Sequence, residues 1–353
     1  MVDADQERSL LAEARDVTKL FAAHSGLRAL GDQRRYVRAV DRVSLAVHRG
    51  EALGLVGESG CGKSTLGRLL IRLERPSAGQ LFFEGRDITR LRGRTLRKLR
   101  QRMQIIFQDP ALSLNPRFTV RETLDEALMA HGGHADFRRR SAHLAALLGM
   151  VGLSVEALDR LPQAFSGGER QRIAIARALA VEPRFIVADE PISSLDLASQ
   201  AQIVDLLAGL RRELGVALLL ITHNLEVLRD LCDRVAVMYL GRILEIAEPR
   251  TLIARPRHPY THALVASSPV FDPLVRRKLF VLAGDPPSPM DPPKGCHFHP
   301  RCPHARMQCR LLVPPMREPA PGHFTKCHFD FDGEPGPPGG APGSAEGSTE
   351  AGR

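Results

Sequence analysis

A glycine-rich segment at residues 57–64 has the residue types and the spacing that bind phosphate. It reads GESGCGKS and fits the pattern G-x-x-x-x-G-K-[ST], between an apolar run and an amphipathic helical pattern. Glycines let backbone N–H groups wrap around an anion, and the following helix N-terminus adds partial positive charge. We therefore expect a nucleotide here, with Lys63 at its outer phosphates and Ser64 as a ligand of Mg²⁺. The predicted nucleotide-binding residues are Gly57, Ser59, Gly60, Cys61, Gly62, Lys63, Ser64 and Thr65.

Two carboxylates at the end of another apolar run could supply the rest of the chemistry. Residues 185–188 are apolar and are followed by Asp189 and Glu190. Side chains alternate between the faces of a strand, so the two acids point to different sides and cannot share one role. We assign Asp189 to the Mg²⁺ shell and Glu190 to the polarisation of an attacking water.

Strands and helices must hold these residues in position, and the hydrophobic pattern of the sequence predicts where those elements lie. Strands that alternate with helices favour a parallel sheet with helical crossovers, so we predict an α/β fold. Residues 115–165 lack strand patterns and predict an inserted helical subdomain. The predicted strands are an alternating stretch at Val43, Leu45 and Val47, then Ala52–Val56, Gln104–Phe107, Phe185–Ala188, Val216–Ile221 and Val235–Tyr239. The predicted helices are Lys63–Leu73, Glu169–Leu179 and Leu197–Leu214.

The composition of the chain changes after about residue 250. Residues 286–321 contain 11 prolines, too many for a continuous helix or a central strand. Residues 333–353 have 11 Gly or Pro among 21 residues and no aromatic, which is typical of a disordered tail. The predicted divisions are a nucleotide-binding domain at 10–250 with its helical subdomain at about 110–165, a C-terminal extension at 251–330, and a tail at 331–353.

The overall composition excludes several classes of protein. Hydrophobic residues make up 43% of the 353 residues and charged residues 25%, which excludes wholesale disorder. No run approaches the roughly 18–20 consecutive apolar residues of a membrane span, and the N-terminus lacks a secretory signal, so we expect a cytosolic chain. The net charge of +9 could indicate a nucleic-acid partner. However, only six of the 49 basic residues are lysine, and we attribute most of the arginines to genome composition.

Further motifs identify the family that this chain resembles. Residues 165–169 read FSGGE and are similar to the signature of ATP-binding-cassette ATPases, whose usual form is LSGGQ, so Phe165 and Glu169 are departures. The other matching motifs follow in the order of that family. They are Gln108 as the Q-loop, Asp189 and Glu190 after their strand, Ser194-Leu195-Asp196 as the D-loop, and His223 as the switch histidine, with Asn224 in place of the usual Asp.

This resemblance implies a role for each of these residues. Family members form head-to-tail nucleotide sandwiches, so Ser166 and Gly168 would contact the γ-phosphate held by the phosphate loop of the opposite subunit. His223 would sense the γ-phosphate, and Gln108 would touch the metal or the water and also the membrane partner. The implied catalytic residues are therefore Glu190, His223 and Gln108, and the implied Mg²⁺ ligands are Ser64, Gln108 and Asp189.

The family also implies an aromatic ring that stacks on adenine near the first strand. Phe21, in the segment VTKLF, is the best match for this ring. Tyr36, which follows an arginine-rich loop, is the alternative. An ordinary core position for Phe21 is the remaining interpretation.

Within the family, residues 10–330 resemble the ATP-binding subunits of bacterial dipeptide and oligopeptide importers. Cys61 in the phosphate loop, Asn115-Pro116-Arg117, and His258-Pro259-Tyr260-Thr261 carry this resemblance, which is strongest to the second type of dipeptide-importer ATPase. It implies a peripheral subunit on the cytoplasmic face of the inner membrane that hydrolyses ATP to import peptides. The implied partners are a second, different ATPase subunit, two permease subunits and an extracytoplasmic binding protein, without nucleic acid. Nickel or another small solute is the alternative cargo, and a nucleic-acid-associated ATPase is a more distant one.

Four cysteines cluster in the C-terminal extension and predict a metal centre. Cys296, Cys302, Cys309 and Cys327 lie in a cytosolic chain, where a disulfide framework is not expected. They contain no C-x-x-C pair, which counts against an ordinary zinc ribbon. Four thiolates on irregular, proline-rich backbone favour a [4Fe–4S] cluster, with zinc and free thiols as the alternatives. His297, His299 or His304 could replace one thiol.

Overall fold

The computed structural model describes residues 9–23, 36–130, 137–267 and 284–331, and every structural statement below concerns these ranges. Their strands are β1 Leu10–Ala22, β2 Tyr36–His48, β3 Ala52–Val56, β4 Ala78–Phe83, β5 Arg86–Asp87, β6 Met103–Ile106, β7 Phe185–Asp189, β8 Ala217–Ile221, β9 Arg234–Tyr239, β10 Arg242–Ala247, β11 Arg317–Ala320 and β12 His323–Thr325. Their helices are α1 Lys63–Leu70, α2 Gly93–Gln101, α3 Pro110–Ser113, α4 Val120–Met129, α5 Phe137–Met150, α6 Gly167–Leu179, α7 Leu197–Leu214, α8 Leu225–Leu231, α9 Pro249–Ala254, α10 Pro259–Ser267 and α11 Met307–Leu311.

A mixed eight-stranded sheet carries the central core, in the order β11-β12-β10-β9-β3-β8-β7-β6. The five strands from β9 to β6 are parallel, and β10, β12 and β11 continue the sheet in antiparallel pairing. Strand β3 is buried along its whole length, because helices and the second sheet cover both faces. Alternate residues enter different cores: Leu53 and Leu55 pack on one side, and Ala52 and Val56 pack on the other.

A second, four-stranded antiparallel sheet lies over the first and has the order β2-β1-β4-β5. Its apolar face shares one core with α1 and with one face of the mixed sheet. The alternation at Val43, Leu45 and Val47 places all three side chains in this core. That pattern therefore predicts a half-buried strand correctly, and the structure extends it to the 13 residues of β2.

The predicted strands and helices are confirmed with small changes at their ends. Among the predicted helices, the largest change is in α1, which ends at Leu70, whereas the sequence predicts a helix up to Leu73. Arg72 explains the difference, because its φ of 57° is left-handed and stops the helix. Its buried guanidinium also donates hydrogen bonds to the carbonyl oxygens of Ile88, Glu74 and Leu91, which hold the chain in its new direction.

The segment between β6 and β7 is helical, as its sequence predicts. It contains α3, α4, α5 and α6, and two short 3-10 helices. Thr119 begins α4 with a capping box, in which its hydroxyl accepts from the Glu122 N–H and the Glu122 carboxylate accepts from the Thr119 N–H. These helices pack on α6, which connects them to the rest of the molecule.

The C-terminal segment is built from short elements around the free side of β10. Strand β12 pairs with β10, with Glu245 opposite Thr325, and β11 pairs with β12. The proline-rich stretch holds no helix longer than the five residues of α11. The tail predicted at 331–353 lies outside the described residues, apart from Phe331.

The described helices include none that could span a membrane. The longest, α7, has 18 residues. It carries Asp205, Arg211, Arg212 and Glu213, whose charges are costly to place in a bilayer. Across the described ranges, no helix is both long enough and apolar enough to cross a bilayer.

A buried hydrogen bond between Glu245 of β10 and His323 of β12 generates a prediction about stability. One oxygen of Glu245, which is fully buried, lies 2.6 Å from Nε2 of His323 and accepts from the Arg257 N–H at the same distance. The substitution His323→Ala leaves the carboxylate without its side-chain partner, so we expect the free energy of unfolding to fall by about 3 kcal/mol. Chemical denaturation of the purified chain measures this change.

The double variant His323→Ala/Glu245→Gln is the matched control. It replaces the buried carboxyl group with an amide and removes its partner as well, so it should recover part of the lost stability. Equal stability of the single and double variants would contradict the explanation by a lost buried hydrogen-bond partner.

Candidate nucleotide-binding site

The phosphate loop leaves β3 at Val56 and enters α1 at Lys63, where the two sheets meet. The backbone packs so closely here that two of its glycines leave no room for a side chain. A Cβ on Gly57 would lie 2.0 Å from the Met238 carbonyl oxygen of β9, and a Cβ on Gly62 would lie 2.0 Å from that of Ala39 in β2. Gly62 also has a φ of 108°, which glycine alone adopts without strain.

Lys63 is folded into this loop. Its side chain is buried, and Nζ donates to the carbonyl oxygens of Gly57 at 2.7 Å and Glu58 at 2.9 Å. Burial raises the pKa of the nearby Cys61 thiol, so that thiol stays protonated and is not a competing anion for the lysine. The ammonium group is therefore held by neutral oxygens that phosphate oxygens can replace.

Ser64 and Asp189 are brought together across the sheet. The Ser64 hydroxyl donates to Oδ1 of Asp189 at 2.7 Å, and the carboxylate is almost fully buried at the end of β7. Arg68 lies 3.8 Å from the other carboxylate oxygen. A hydroxyl and a carboxylate are hard oxygen ligands, so this pair has the chemistry that holds Mg²⁺ beside the phosphates.

Glu190 faces a different set of residues from Asp189. Its Oε2 accepts from Nε2 of Gln108 at 3.4 Å and lies 3.7 Å from Nδ1 of His223. Its φ of 47° is left-handed, and its N–H donates to the Ile221 carbonyl of β8. The structure therefore brings the three predicted catalytic residues to one point, with Glu190 partly exposed between the other two. Gln108 lies beside Glu190, and its predicted role as a Mg²⁺ ligand stays a prediction.

Ser166 begins α6 as its N-cap. The Ser166 hydroxyl accepts from the Glu169 N–H, while the Glu169 carboxylate accepts from both the N–H and the hydroxyl of Ser166. These hydrogen bonds lower the pKa of the Glu169 carboxyl, which stays charged at the helix N-terminus. The departure from the usual glutamine thus completes a capping box. Gly168 faces α7, where a Cβ would meet the Ser199 hydroxyl at 3.1 Å.

Asp196 and Asn224 begin helices in the same way as Ser166. Asp196 caps α7 by accepting from the Ser199 N–H at 2.9 Å, and this bond lowers its pKa. Asn224 caps α8 by accepting from the Glu226 N–H at 3.0 Å. Asparagine is as good an N-cap as aspartate, so the departure at Asn224 leaves α8 capped.

Phe21 and Tyr36 both lie at the end of the β1–β2 pair where β1 ends and β2 begins. Ala22 pairs with Tyr36 and Phe21 pairs with Val37. The two rings are 37% and 41% exposed, so Phe21 is not an ordinary core residue. Lys19 Nζ lies 4.7 Å from the centre of the Phe21 ring. Both rings remain candidates for stacking on adenine.

The four C-terminal cysteines line one cavity of about 100 Å³ together with Phe298. All four thiols are free, and the N–H of Cys296 donates to the carbonyl of Cys309 at 2.8 Å, which joins two of them through the backbone. Burial, aided by charge on the neighbouring thiols, raises the pKa of Cys296 to about 11 and of Cys302 to about 12. In the described part of the chain, no three His, Cys, Asp or Glu side chains are arranged to hold one metal ion.

The three histidines predicted as possible substitutes for a thiol differ in their surroundings. His299 and His304 line the cysteine cavity. His297 does not, because its buried ring hydrogen-bonds the Leu240 carbonyl through Nδ1 and lies 3.7 Å from Asp41. Burial lowers the pKa of His297 to about 4, so its ring is neutral. His297 is therefore not a substitute for a thiol in this structure.

The phosphate loop also makes a set of contacts that its sequence does not predict. The Glu58 N–H donates to the hydroxyl of Tyr260 at 2.9 Å, and the Glu58 carboxylate accepts from Arg301 at 2.9 and 3.0 Å. Tyr260 belongs to the His-Pro-Tyr-Thr motif, which was the only sequence signal for this contact. Nothing in the local pattern around Arg301 indicates its partner.

Comparison with known families gives two matches along the chain. Residues 40–193 match the family described as ABC transporter, and residues 244–309 match the C-terminal region of oligopeptide/dipeptide transporters. The oligopeptide transport ATP-binding protein AppF of Bacillus subtilis is 48% identical over 333 residues, which cover 93% of this chain and 99% of that protein. A Brucella ovis protein named for peptide import is 51% identical over 292 residues, covering 82% of this chain and 92% of the relative.

Solved structures resemble the nucleotide-binding part of the chain. A dimer of the ATP-binding cassette MJ0796, in a post-hydrolysis state bound to ADP and Pi, matches with a TM-score of 0.60 and 27% identity. The match covers 68% of this chain and 99% of that structure. The predicted α/β nucleotide-binding fold is therefore confirmed.

The close packing at Gly62 predicts a large effect of one methyl group. In Gly62→Ala, the added Cβ would overlap the Ala39 carbonyl and force a left-handed alanine, so the loop must move. We expect loss of nucleotide binding in an equilibrium assay and a fall of at least about 2 kcal/mol in unfolding free energy. Gly209→Ala is the control, because its Cβ meets open space within α7 and should raise stability by up to about 1 kcal/mol. Normal nucleotide affinity in Gly62→Ala would refute the packing argument.

Proposed function

This chain belongs to the family of peptide-import ATP-binding proteins of ABC transporters, and we propose that it hydrolyses ATP to drive the import of dipeptides or oligopeptides. One observation carries the catalytic part of this proposal. The phosphate loop, the Ser64–Asp189 pair and the group of Glu190, Gln108 and His223 all lie at the same end of the parallel strands. Ligands bind at this end of open α/β sheets.

We propose that ATP binding begins with an exchange of partners at Lys63. The ammonium group leaves the carbonyl oxygens of Gly57 and Glu58 and takes oxygens of the β- and γ-phosphates instead. The backbone N–H groups of the loop and the N-terminus of α1 then surround the phosphates. Ser64 and Asp189 would hold Mg²⁺, which neutralises charge that develops on the phosphate oxygens.

Glu190 is the general base of the proposed hydrolysis. Its partly exposed carboxylate accepts a proton from a water molecule, whose oxygen attacks the γ-phosphorus while the bond to the β-phosphate oxygen breaks. The products are ADP and phosphate. Gln108 and His223, which both contact the Glu190 carboxylate, orient the water and the γ-phosphate.

A second ATPase subunit completes the proposed site. Ser166 and Gly168 lie at the start of α6, which packs against α3, α4, α5, α7 and β6. In a head-to-tail pair, Ser166 would release its hydrogen bond to Glu169 and donate to the γ-phosphate held by the opposite subunit. We propose a heteromeric pair, and mass spectrometry of the complex purified from native membranes identifies the second subunit.

We further propose that the chain works at the cytoplasmic face of the inner membrane. The proposed partners there are two permease subunits and an extracytoplasmic binding protein for peptides. The names of the relatives refer to peptides, so they favour peptide cargo over nickel. They also favour transport over a function on nucleic acid, and the net charge of +9 then needs no nucleic-acid partner.

The substitution Glu190→Gln tests the catalytic proposal. It keeps the size of the side chain and its contact with Gln108, and it removes the proton acceptor. We expect ATP hydrolysis to fall at least about 100-fold, while ATP binding stays intact and the closed pair of subunits accumulates. A phosphate-release assay and size-exclusion chromatography with ATP measure the two effects. Glu213→Gln is the control, because Glu213 is exposed on α7 and its variant should hydrolyse ATP at the normal rate. A normal rate of hydrolysis in Glu190→Gln would refute the assignment of Glu190 as the general base.

We propose, as a second conclusion, that the cysteine cavity holds a [4Fe–4S] cluster. Four thiols surround one space and contribute the ligand set that such clusters use. The cluster would hold together a segment that has few aliphatic residues of its own.

Spectroscopy of the anaerobically purified chain tests this second proposal. We expect broad visible absorption, together with iron and inorganic sulfide in equal amounts, and loss of all three in Cys302→Ser. Cys232→Ala is the control, because Cys232 lies in the core and not in the cavity, and its variant should keep the iron. A colourless wild-type protein with stoichiometric zinc would refute the cluster.

A further inference from the structure

Two residues of the C-terminal extension hold the phosphate loop at Glu58. The hydroxyl of Tyr260, at the start of α10, accepts the Glu58 N–H at 2.9 Å. One terminal nitrogen of Arg301 donates to both oxygens of the Glu58 carboxylate, at 3.0 and 2.9 Å. These partners follow Glu58 by 202 and 243 positions in the chain. The loop is thus fixed from outside the domain that contains it.

Glu58 is well placed to transmit this constraint to the phosphates. It is the second residue of the loop, and its carbonyl oxygen accepts from Nζ of Lys63. Tyr260 and Arg301 fix the N–H and the side chain of Glu58, so they also fix the direction of that carbonyl. Lys63 and the next residues of the loop must then take positions consistent with it. A loop that is held in one conformation before binding loses less entropy when it binds.

The surroundings make the Arg301–Glu58 ion pair stronger than one at the surface. The Arg301 side chain is 6% exposed and that of Glu58 24%. Arg301 also lies over the ring of Tyr239, with 5.9 Å from guanidinium carbon to ring centre. Charges attract more strongly where little water surrounds them. The pair therefore acts as a stable anchor for the loop.

An aromatic cluster of Tyr239, Tyr260 and Phe298 supports both contacts. Ring centres are 4.7 Å apart for Tyr239 and Tyr260, 5.3 Å for Tyr239 and Phe298, and 5.4 Å for Tyr260 and Phe298. All three residues are fully buried, and Tyr239 ends the sheet strand β9. The cluster connects the sheet, the His-Pro-Tyr-Thr motif and the segment of Arg301 in one rigid contact.

We propose that Tyr260 and Arg301 are positioning residues for the phosphates of ATP and act through Glu58. Neither residue touches the nucleotide; each holds the loop in the shape that accepts it. The C-terminal extension is then part of the nucleotide site. This inference rests on the proposed binding of ATP at the loop.

Binding of the non-hydrolysable analogue AMP-PNP with Mg²⁺ to the full-length chain tests the inference. We expect Arg301→Gln to weaken binding about tenfold. We expect Tyr260→Phe, which removes one hydroxyl from a buried ring, to weaken it about fivefold. Arg310→Gln is the matched control, because Arg310 is exposed in the same segment and should bind like wild type. Unfolding midpoints without nucleotide show that each variant is folded.

A double-mutant cycle separates positioning through Glu58 from a general structural effect. Glu58→Gln should weaken binding as much as Arg301→Gln, and the double variant should be no weaker than either single one. Additive losses would overturn the inference, because Arg301 would then act by another route. If Arg301→Gln fails to fold, the affinity of Tyr260→Phe for AMP-PNP is the deciding measurement. Wild-type affinity in that variant would overturn the inference.

Failure of this inference can be distinguished from failure of the proposed function. Wild-type chain that does not bind AMP-PNP, or that binds it equally well with Lys63→Ala, would refute ATP binding at the loop. Wild-type chain that binds in a Lys63-dependent way, with unchanged affinity in Arg301→Gln and Tyr260→Phe, would refute only the positioning role.

Discussion

The backbone of the phosphate loop lies in close contact with the backbones of β2 and β9, and this contact constrains the rest of the molecule. Gly57 lies against the carbonyl of Met238 in the mixed sheet, and Gly62 lies against the carbonyl of Ala39 in the antiparallel sheet. The loop can keep its shape only if both sheets stay in place. A buried ion pair at the same junction, in which Arg242 donates to Asp41 at 2.6 Å, helps to hold them together. The site is therefore a product of how the sheets pack as much as of the loop sequence.

The division of work between two adjacent acids follows from strand geometry. Asp189 is the last residue of β7, buried beside Ser64, whereas Glu190 lies just outside the strand in a left-handed conformation. Strain of this kind persists where the surroundings hold a residue in place, here through the bond from the Glu190 N–H to Ile221. The turn directs one carboxylate toward Ser64 and the other toward Gln108 and His223. Two roles thus fit into two consecutive residues.

Local patterns in the sequence predicted which residues the candidate nucleotide site brings together, and most of the strands and helices around it. Residues such as Lys63 and Glu190 occur in short motifs whose spacing is itself the signal. The end of α1 was predicted wrongly, because the burial of Arg72 depends on carbonyl partners 16 and 19 positions away. The contacts of Glu58 with Tyr260 and Arg301 were missed for the same reason. The cysteines were expected to converge and do line one cavity, but their exact arrangement depends on packing that no spacing encodes.

The pairing of β10 with β12 has a consequence for how the chain is made. Glu245 lies opposite Thr325, which leaves the ribosome 80 residues later. At typical rates of synthesis, about 4–16 s pass between the synthesis of β10 and that of β12, which pairs with its edge. During this interval the edge offers unpaired N–H and C=O groups to any other extended chain nearby, including copies made on the same messenger RNA. Because β12 comes so late in the chain, the edge of β10 can aggregate during synthesis. This risk ends only when β12, the last described strand, has paired with it.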